Sequence, residues 1–254
     1  MENIRSIPAK QLMHEKPDDS YLVLKHDVET NVASALHMAR IENRYGHCGS
    51  YYVQAYLMED SSNIQMLKEI QMLGHEVSYH YDVMDSNGGN IPSAIKDFDR
   101  KRKLFEKNGF HLETVCQHGN PVVERKGYTS NRDFFRNTDV QNYCPELADI
   151  MVDFKQKAFQ TTDYMYFSDA GRRFNLVYDP INNDVIPSDD KNIPFDNLDE
   201  VLAFVKNHGG NAIISTHPHR WVSSKTKYIL KTTSFKVIRS AAKCAMKVPI
   251  LKKS

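Results

Sequence analysis

Histidines cluster with other polar residues at four places in this sequence, each directly after a short apolar segment. Six of the eleven histidines lie at or beside these positions: His26, His75, His80, His118, His217 and His219. Imidazoles with one or two carboxylates are the ligands of zinc and similar divalent ions, and an open coordination position holds a water molecule. Such an ion lowers the pKa of bound water towards about 7 and polarises a carbonyl. The pattern therefore indicates metal-dependent hydrolysis of an amide or an ester.

Other chemistries find less support in the sequence. In a metal-dependent hydrolysis, a carboxylate that is not a ligand accepts the proton of the attacking water, and a histidine across the site protonates the leaving amine. The sequence contains no G-x-S-x-G segment, which disfavours a serine nucleophile. It also lacks G-x-x-x-x-G-K-[ST] and a strand-linked G-x-G-x-x-G, so nucleotide binding by those routes is not indicated.

Cysteine spacing gives no sign of a zinc ribbon or of a disulfide framework. The residues lie at least 28 positions apart, at Cys48, Cys116, Cys144 and Cys244. We therefore expect reduced thiols and a cytoplasmic protein. Cys116 is interpreted as a small buried hydrophobic residue rather than a nucleophile.

Alternating strands and helices must position the polar clusters. Short apolar runs predict strands at residues 21–25, 50–54, 76–79, 114–117 and 212–216. Apolar residues at helical spacing predict helices that end before Gly46, Gly74, Gly109 and Gly209. This alternation predicts a parallel sheet, either open or closed into a barrel. Because α/β folds build their sites at the carboxyl ends of the strands, we expect the clusters to converge.

Six segments, in this order, resemble the polysaccharide deacetylases of carbohydrate esterase family 4, the NodB-like domain, and in particular its divergent bacterial surface-polysaccharide branch. They are LKHDVE (24–29), GSYYV (49–53), GHEVSYHYD (74–82), QHGNP (117–121), SDAGRRF (168–174) and STHPHRW (215–221). The resemblance implies an α/β fold, a distorted (β/α) barrel of about seven strands. The spacing of basic residues from Ser234 to Val248 separately predicts a basic C-terminal helix. The resemblance also implies a metal-dependent hydrolase that removes an acetyl group from an N-acetylated sugar. The pathway implied is bacterial surface-polysaccharide biosynthesis, of lipopolysaccharide or capsule.

The resemblance also assigns roles to residues of the site. It makes Asp27 the general base, Glu29 and His80 metal ligands, and His217 the catalytic acid. An arginine that orients the base falls on Arg172 or Arg173, and Arg172 is taken for that role. These arginines could instead hold a loop by pairing with nearby carboxylates.

Two departures from the family pattern concern the metal, for which zinc is predicted. The family places a second ligand histidine four residues after the first, where this sequence has Met84. The ligand acid is usually aspartate, and Glu29 is one methylene longer. The third ligand must come from elsewhere, with His118 and Asp82 as candidates. We predict Glu29, His80 and His118 as the metal-binding set.

Further residues of the clusters are predicted to contact the sugar: Tyr81, Asp82, Asn120, Arg173, His219 and Trp221. Aromatic rings pack well on pyranose faces, although Tyr81 and Trp221 could equally be core or rim residues. For His75 the favoured interpretation is a hydrogen bond to a backbone carbonyl rather than metal ligation.

The basic residues are concentrated at the C-terminal end. The net charge is only +1, but no acidic residue follows Glu200, whereas residues 201–254 contain 11 Lys and Arg. We predict a barrel domain over residues 1–230 and a basic amphipathic tail over residues 231–254. The tail suits peripheral contact with an anionic inner membrane, or docking on the acidic barrel. Nucleic acid is not a predicted partner, because the main domain is acidic.

Two other functions remain open at this stage. One is a catalytically inert glycan-binding or scaffold domain at the membrane surface, which would hold no stoichiometric metal. The other is a metal-dependent amidohydrolase that acts on a non-sugar amide. The sequence has no apolar run of 18 residues and no apolar segment near its N-terminus, so we expect neither a transmembrane helix nor a secretory signal.

Overall fold

The computed structural model describes residues 5–14, 20–120, 122–152, 164–170, 173–177, 181, 184 and 192–221. The chain divides into two compact units, Met1–His219 and Arg220–Ser254. Only Arg220 and Trp221 of the second unit belong to the described residues. The predicted tail over residues 231–254 lies outside them and stays a prediction.

Ten strands form one sheet in the described part of the chain. They are β1 (Arg5–Ser6), β2 (Tyr21–Val28), β3 (Gly49–Val53), β4 (Glu76–Tyr81), β5 (Thr114–Gln117), β6 (Ala148–Asp149), β7 (Tyr164–Ser168), β8 (Phe174–Leu176), β9 (Ile193–Phe195) and β10 (Asn211–Thr216). Their order is β6-β5-β4-β3-β2-β10-β7-β8-β9, with β1 paired to β2. The pairs β7–β8 and β8–β9 are antiparallel, and the others are parallel.

Seven helices accompany the strands over the same residues. They are α1 (Val32–Arg44), α2 (Ser61–Met72), α3 (Val83–Ser86), α4 (Ile91–Lys107), α5 (Asp133–Arg136), α6 (Thr138–Tyr143) and α7 (Leu198–His208). Short 3-10 helices cover Ala9–Met13, Ala55–Glu59 and Pro218–Arg220. The four longest helices begin at side chains that accept a backbone N–H: Asn31, Asp60, Asn90 and Asn197. None of the described helices combines the length and the apolar character that a bilayer crossing requires.

The predicted fold class is confirmed as α/β with a largely parallel sheet, consistent with a distorted barrel. The sheet does not close within the described residues, since its path ends at β6 and at β9. The sequence patterns placed the five predicted strands well but gave no element between residues 120 and 195. That region contains β6 to β9 and α5 and α6, which are short, and short elements carry little periodic signal.

Side chains of β2 alternate between two buried faces. Lys25 and Asp27 point to the face that contacts Ser215 of β10, whereas His26 points to the face beneath α1. Every residue of β3 and β4 is buried, as expected for parallel strands covered on both sides. Polar side chains therefore occupy both faces of the sheet, and each needs a partner within the protein.

Candidate metal and catalytic site

The carboxyl ends of six neighbouring parallel strands, from β5 through β4, β3, β2 and β10 to β7, meet at one edge of the sheet. Pairing of His26 with Thr216 and of Tyr81 with Gln117 keeps these ends level. The residues that follow or end the strands therefore lie together, although they are far apart in sequence: Asp27 and Glu29, His80, His118, Asp169, and His217.

Glu29, His80 and His118 form a group suited to a divalent ion. Their ligand atoms all lie within 4.8 Å of one another. The structure thus brings together the three residues predicted as metal ligands. Two imidazoles and one carboxylate form the protein ligand set of many catalytic zinc sites.

His80 has the form that a metal ligand requires. Its Nδ1–H donates to the Cys116 carbonyl at 3.1 Å, which leaves Nε2 unprotonated. This Nε2 is buried and has no hydrogen-bond partner in the described part of the chain. Burial lowers the pKa of His80 to about 4, so the ring is neutral at physiological pH. A buried lone pair without a donor is the feature that fits a metal at this position.

Glu29 is surrounded by imidazoles. Its Oε1 lies 3.3 Å from Nε2 of His118 and 3.6 Å from Nε2 of His217, and its Oε2 lies 3.8 Å from Nε2 of His219. Burial opposes ionisation, but the contact with His118 and the neighbouring imidazoles lower the pKa of Glu29 to about 2. Burial likewise opposes charge on His118, whose pKa the Glu29 carboxylate nevertheless raises. Glu29 is therefore an anion at the centre of the cluster.

A second group, Asp27, His80 and Cys116, also has its ligand atoms within 4.8 Å of one another. The ammonium of Lys25 already lies 2.6 Å from both carboxylate oxygens of Asp27. Burial raises the pKa of the Cys116 thiol well above its usual range, so that it is no thiolate ligand. Because a divalent ion here would face both an ammonium and a protonated thiol, the group with Glu29 is the better metal site.

Lys25 is the partner of the predicted general base. It is 2% exposed, contacts both oxygens of Asp27, and donates a further hydrogen bond to Ser215 Oγ at 3.1 Å. Burial opposes ionisation of Asp27, but the Lys25 charge holds the pKa of that carboxyl well below its usual range. Sequence reasoning missed this pair, although its spacing of two residues within a strand places both side chains on one face.

The predicted arginine partner of Asp27 does not occupy this place. Arg173 is exposed and forms an ion pair with Asp196 at 2.8 Å, at the surface. Arg173 therefore does not pair with Asp27, and its predicted contact with the sugar stays a prediction. The alternative interpretation, that it holds a loop, describes it better. Arg172 lies outside the described residues and its predicted role stays a prediction.

Asp169 holds His217 on two sides. Its Oδ1 lies 2.5 Å from Nδ1 of His217, and its Oδ2 accepts the His217 backbone N–H at 3.1 Å. Nδ1 of His217 therefore carries the proton that faces Asp169, and Nε2 faces Glu29 and Asp27, 3.9 Å from the latter. A carboxylate that fixes the tautomer of a histidine is typical of acid–base catalysis. Sequence reasoning missed Asp169, because nothing local connects it to a residue 48 positions later.

Tyr81 is fully buried, which corrects its predicted contact with a sugar. Its hydroxyl donates to Asp149, and its ring packs against Phe98, Phe134 and Phe135. His80 and Tyr81 are consecutive in β4, so their side chains point to opposite faces of the sheet. Tyr81 therefore belongs to the core beneath the helices.

The remaining predicted contacts are distributed around the cluster. Asp82 pairs with Lys101 at 2.9 Å and belongs to neither ligand group. Asn120 lies on the loop after β5, where its Oδ1 accepts the Val122 N–H. The ring of His219 is 5.9 Å from that of His217, close to Glu29. Trp221 is 39% exposed and belongs to the second unit.

Tyr56 is an aromatic residue at the site that the sequence did not indicate. It lies in the 3-10 helix after β3, and its hydroxyl donates to the Glu29 carbonyl at 2.5 Å. The side chain is nevertheless 52% exposed. Its ring is thus fixed beside the metal-ligand candidate and open to solvent.

No protein-family model matches the sequence, and no curated protein matches it. Several solved structures are similar to it in fold. A family 4 carbohydrate esterase from Streptomyces lividans is 12% identical, with 84% of this chain and 85% of that chain covered and a TM-score of 0.49. The catalytic domain of a peptidoglycan N-acetylglucosamine deacetylase from Eubacterium rectale is also 12% identical, with 89% and 87% covered and a TM-score of 0.48.

A family 4 pseudoenzyme from Bacillus anthracis is 14% identical, with 89% of this chain and 63% of that chain covered and a TM-score of 0.46. The structural neighbours of this chain are thus family 4 carbohydrate esterases and peptidoglycan deacetylases, at low sequence identity.

Proposed function

We propose that this chain is a metal-dependent hydrolase that removes the acetyl group from an N-acetylated sugar. The observation that carries the proposal is the buried Nε2 of His80, which faces Glu29 and His118 and has no hydrogen-bond donor in the described part of the chain. The six sequence segments that resemble polysaccharide deacetylases support the substrate class. Their branch supports a role in bacterial surface-polysaccharide synthesis, in the cytoplasm.

Glu29, His80 and His118 would hold the metal, for which zinc suits the nitrogen and oxygen ligands. When bound, such an ion polarises the acetyl carbonyl and lowers the pKa of water. Nδ1 of His80 donates to the Cys116 carbonyl, so its ring orientation is set before any ion enters.

Asp27 and His217 are the proton-transfer groups. Asp27 is an anion held by Lys25 and accepts the proton of the attacking water. His217 keeps its Nδ1 proton towards Asp169, so its Nε2 is the atom that delivers a proton to the leaving amine. The distance of 3.9 Å between Asp27 Oδ2 and His217 Nε2 supports the proposal that both groups act on one reacting centre.

Tyr56 supplies an exposed aromatic ring for the sugar. A pyranose face packs on such a ring, and the hydroxyl bond to the Glu29 carbonyl fixes its position relative to the metal ligands. Tyr56 therefore takes the role of contacting the sugar, which the sequence had suggested for the buried Tyr81.

Release of acetate from N-acetylglucosamine oligosaccharides by the full chain with added zinc tests this proposal. Acetate release by the wild type and its loss in His80→Ala would support a metal-dependent deacetylase. His111→Ala is the matched control, because His111 is an exposed histidine in the segment before β5. Equal turnover in wild type and His80→Ala, or turnover in neither the wild type nor the control, would contradict the proposal.

One observation favours a second candidate, a catalytically inert glycan-binding domain. The buried Lys25 ammonium neutralises Asp27 and reduces its strength as a base. Sugar binding without acetate release would support this candidate. Lys25→Arg, which keeps the charge, and Lys25→Met, which removes it, separate the two candidates. If Asp27 acts as the base while it is paired with Lys25, the wild type and Lys25→Arg release acetate, whereas Lys25→Met does not.

A further inference from the structure

Helix α3 lies where the family pattern places a second ligand histidine, but Met84 occupies that position. Met84 is 2% exposed and belongs to the hydrophobic core between the sheet and its helices. A thioether buried in that core cannot contact an ion at Glu29. Met84 therefore does not replace the ligand histidine of the family pattern.

Asp85, the next residue of α3, is the centre of a hydrogen-bond network. Its Oδ1 accepts from Arg125 Nε at 2.8 Å and from Tyr128 OH at 3.1 Å. Its Oδ2 accepts from Arg125 Nη2 and from Asn131 Nδ2, each at 2.9 Å. Charge-assisted bonds of this kind are stronger than neutral ones and fix the geometry of both partners. Asp85 thus ties α3 to the loop that follows β5.

Asn131 connects Asp85 to His118. Its Oδ1 accepts the Asp85 N–H at 3.0 Å, and its Nδ2 donates to Asp85 and, at 2.8 Å, to the His118 carbonyl. The residue is 0% exposed, and these three bonds define the orientation of its amide. The His118 N–H in turn donates to the Tyr81 carbonyl at 2.7 Å.

His118 is therefore held at both its backbone N–H and its carbonyl, although it lies on a loop. Its ring is 5.2 Å from that of His80 in an edge-on contact, and its Nε2 is 3.3 Å from Glu29. A loop residue without these bonds would sample several positions of its side chain. A metal ligand must instead be held within a fraction of an ångström of one position.

We propose that Asn131, fixed by Asp85, is the positioning residue that holds His118 as the third metal ligand. The loop after β5 then supplies the ligand that α3 lacks, and α3 contributes the carboxylate that orders this loop. This inference rests on the proposed metal site and goes beyond it, because neither Asn131 nor Asp85 contacts the ligand atoms.

Zinc affinity of the full chain, measured by competition with a chromophoric chelator, tests the proposal without any substrate. Loss of a partner outside the ligand shell typically costs about 10- to 100-fold in affinity. We expect a loss in that range for Asn131→Ala and a larger loss for His118→Ala. If Asn131→Ala does not fold, as judged by thermal unfolding, Asp85→Asn gives the same test with a smaller change in volume.

Asn87→Ala is the matched control. Asn87 lies at the end of α3, and its Nδ2 donates to the Val83 carbonyl at 2.8 Å and to Asp97 at 3.2 Å, not to His118. The Asn87→Ala substitution removes a comparable number of hydrogen bonds, so a purely structural effect on zinc affinity would appear in this variant too. We expect its zinc affinity to stay within about twofold of the wild type, against the tenfold or greater loss of an outer-shell partner.

The possible failures are distinguishable. Wild-type affinity in Asn131→Ala and Asp85→Asn, with a loss in His118→Ala, overturns the positioning role and leaves the metal site standing. Equal losses in Asn131→Ala and Asn87→Ala also overturn it. No zinc binding by the wild type, or full binding by His118→Ala, overturns the proposed metal site and this inference with it.

Discussion

The two faces of β2 carry similar residues in different hydrogen-bonding states. Beneath α1, Glu42 lies 2.8 Å from His26 Nε2, accepts the Tyr51 hydroxyl at 2.8 Å, and lies 3.6 Å from His75. At the carboxyl edge of the sheet, the Glu29 carboxylate lies 3.3 Å from His118 Nε2, 3.6 Å from His217 Nε2 and 3.8 Å from His219 Nε2. Both clusters combine a half-buried carboxylate with histidines. We call them the outer cluster (His26, Glu42, Tyr51 and His75) and the site cluster (Glu29, His80, His118 and His217).

The second nitrogen distinguishes His75 of the outer cluster from His80 of the site cluster, while His26 Nε2 lies 2.8 Å from the Glu42 carboxylate. In the outer cluster, His75 accepts the Gly49 N–H at its Nδ1 and donates to the Ala39 carbonyl from its Nε2, so both its nitrogens are satisfied. In the site cluster, His80 donates from Nδ1 and leaves Nε2 without a donor in the described residues. A closed network stabilises the fold, whereas an open lone pair is available to a metal.

Close packing explains part of this difference. The ring of His26 lies against Gly49, where an added Cβ would be 3.2 Å from His26 Nε2 and 2.6 Å from the Leu24 carbonyl. No side chain fits between β2 and β3 at this point, and among the described residues the outer cluster is not one of the groups of three metal-ligand atoms within 4.8 Å of one another. The glycine of the GSYYV segment therefore serves the packing of the sheet.

Asp169→Asn gives the largest expected loss of activity, because Asp169 fixes the tautomer of His217, the proposed catalytic acid. Asparagine reverses the donor–acceptor pattern at His217 Nδ1 and favours the wrong tautomer. We expect kcat for acetate release to fall by about 10⁴-fold, with zinc affinity unchanged. Steady-state kinetics and zinc titration on the same preparation check both parts. A fall of less than tenfold would show that His217 is not the acid.

Glu42→Gln should affect the outer cluster in the opposite way, with a loss of stability and no loss of zinc binding. Removal of one partner from a buried hydrogen-bonded group costs about 1–3 kcal/mol. Urea unfolding gives the free energy of unfolding, and zinc titration of the folded protein gives the affinity. A tenfold loss of zinc affinity in this variant would erase the distinction between the clusters.

The pH dependence of the unfolding free energy gives a second test of the structural role of Glu42 in the outer cluster. Burial opposes ionisation of Glu42, but His26 and the hydrogen bonds to its carboxylate lower its pKa. A lowered pKa in the folded state contributes stability above the unfolded value of about 4.3, and the contribution is lost as the pH falls below it. The difference in unfolding free energy between wild type and Glu42→Gln should therefore shrink from pH 6 to pH 3, as measured by urea unfolding at each pH. A constant difference would contradict it.

Tyr56 gives the smallest expected effect and locates the sugar relative to the site cluster. Tyr56→Ala removes the exposed ring, and we expect KM to rise about tenfold, the equivalent of about 1.4 kcal/mol of stacking. Tyr56→Phe keeps the ring and loses only the bond to the Glu29 carbonyl, so KM should rise less. Kinetics on the oligosaccharide substrate check the order. Equal KM values in wild type and Tyr56→Ala would place the sugar elsewhere.

Much of the scaffold was predictable because its signals are local. Apolar runs and helix caps located β2 to β5 and α1, and the carboxyl ends of parallel strands meet at one edge. That rule predicted that the polar clusters converge, the family resemblance selected Glu29, His80 and His118 among them as ligands, and the structure places these three together. The same alternation of side chains would also have shown that Tyr81 faces away from His80.

The missed residues depend on contacts that are distant in sequence. Asp169 meets His217, and Asn131 meets Asp85, only after the sheet and loops have formed. Lys25 is different, since its pairing with Asp27 is local, but a lysine inside a strand gives no sign of burial. An exposed position such as that of Arg173 is likewise decided by the fold rather than by its neighbours in the chain.

Equilibrium dialysis of the purified full chain against zinc, followed by elemental analysis, tests the central claim most directly. His80→Ala removes a ligand of the site cluster. His75→Gln is the control in the outer cluster, because glutamine keeps both a donor and an acceptor there. We predict one tightly bound zinc per chain in the wild type and in His75→Gln, and none in His80→Ala. A wild type without bound zinc, or a His80→Ala protein that binds it equally, would contradict the account.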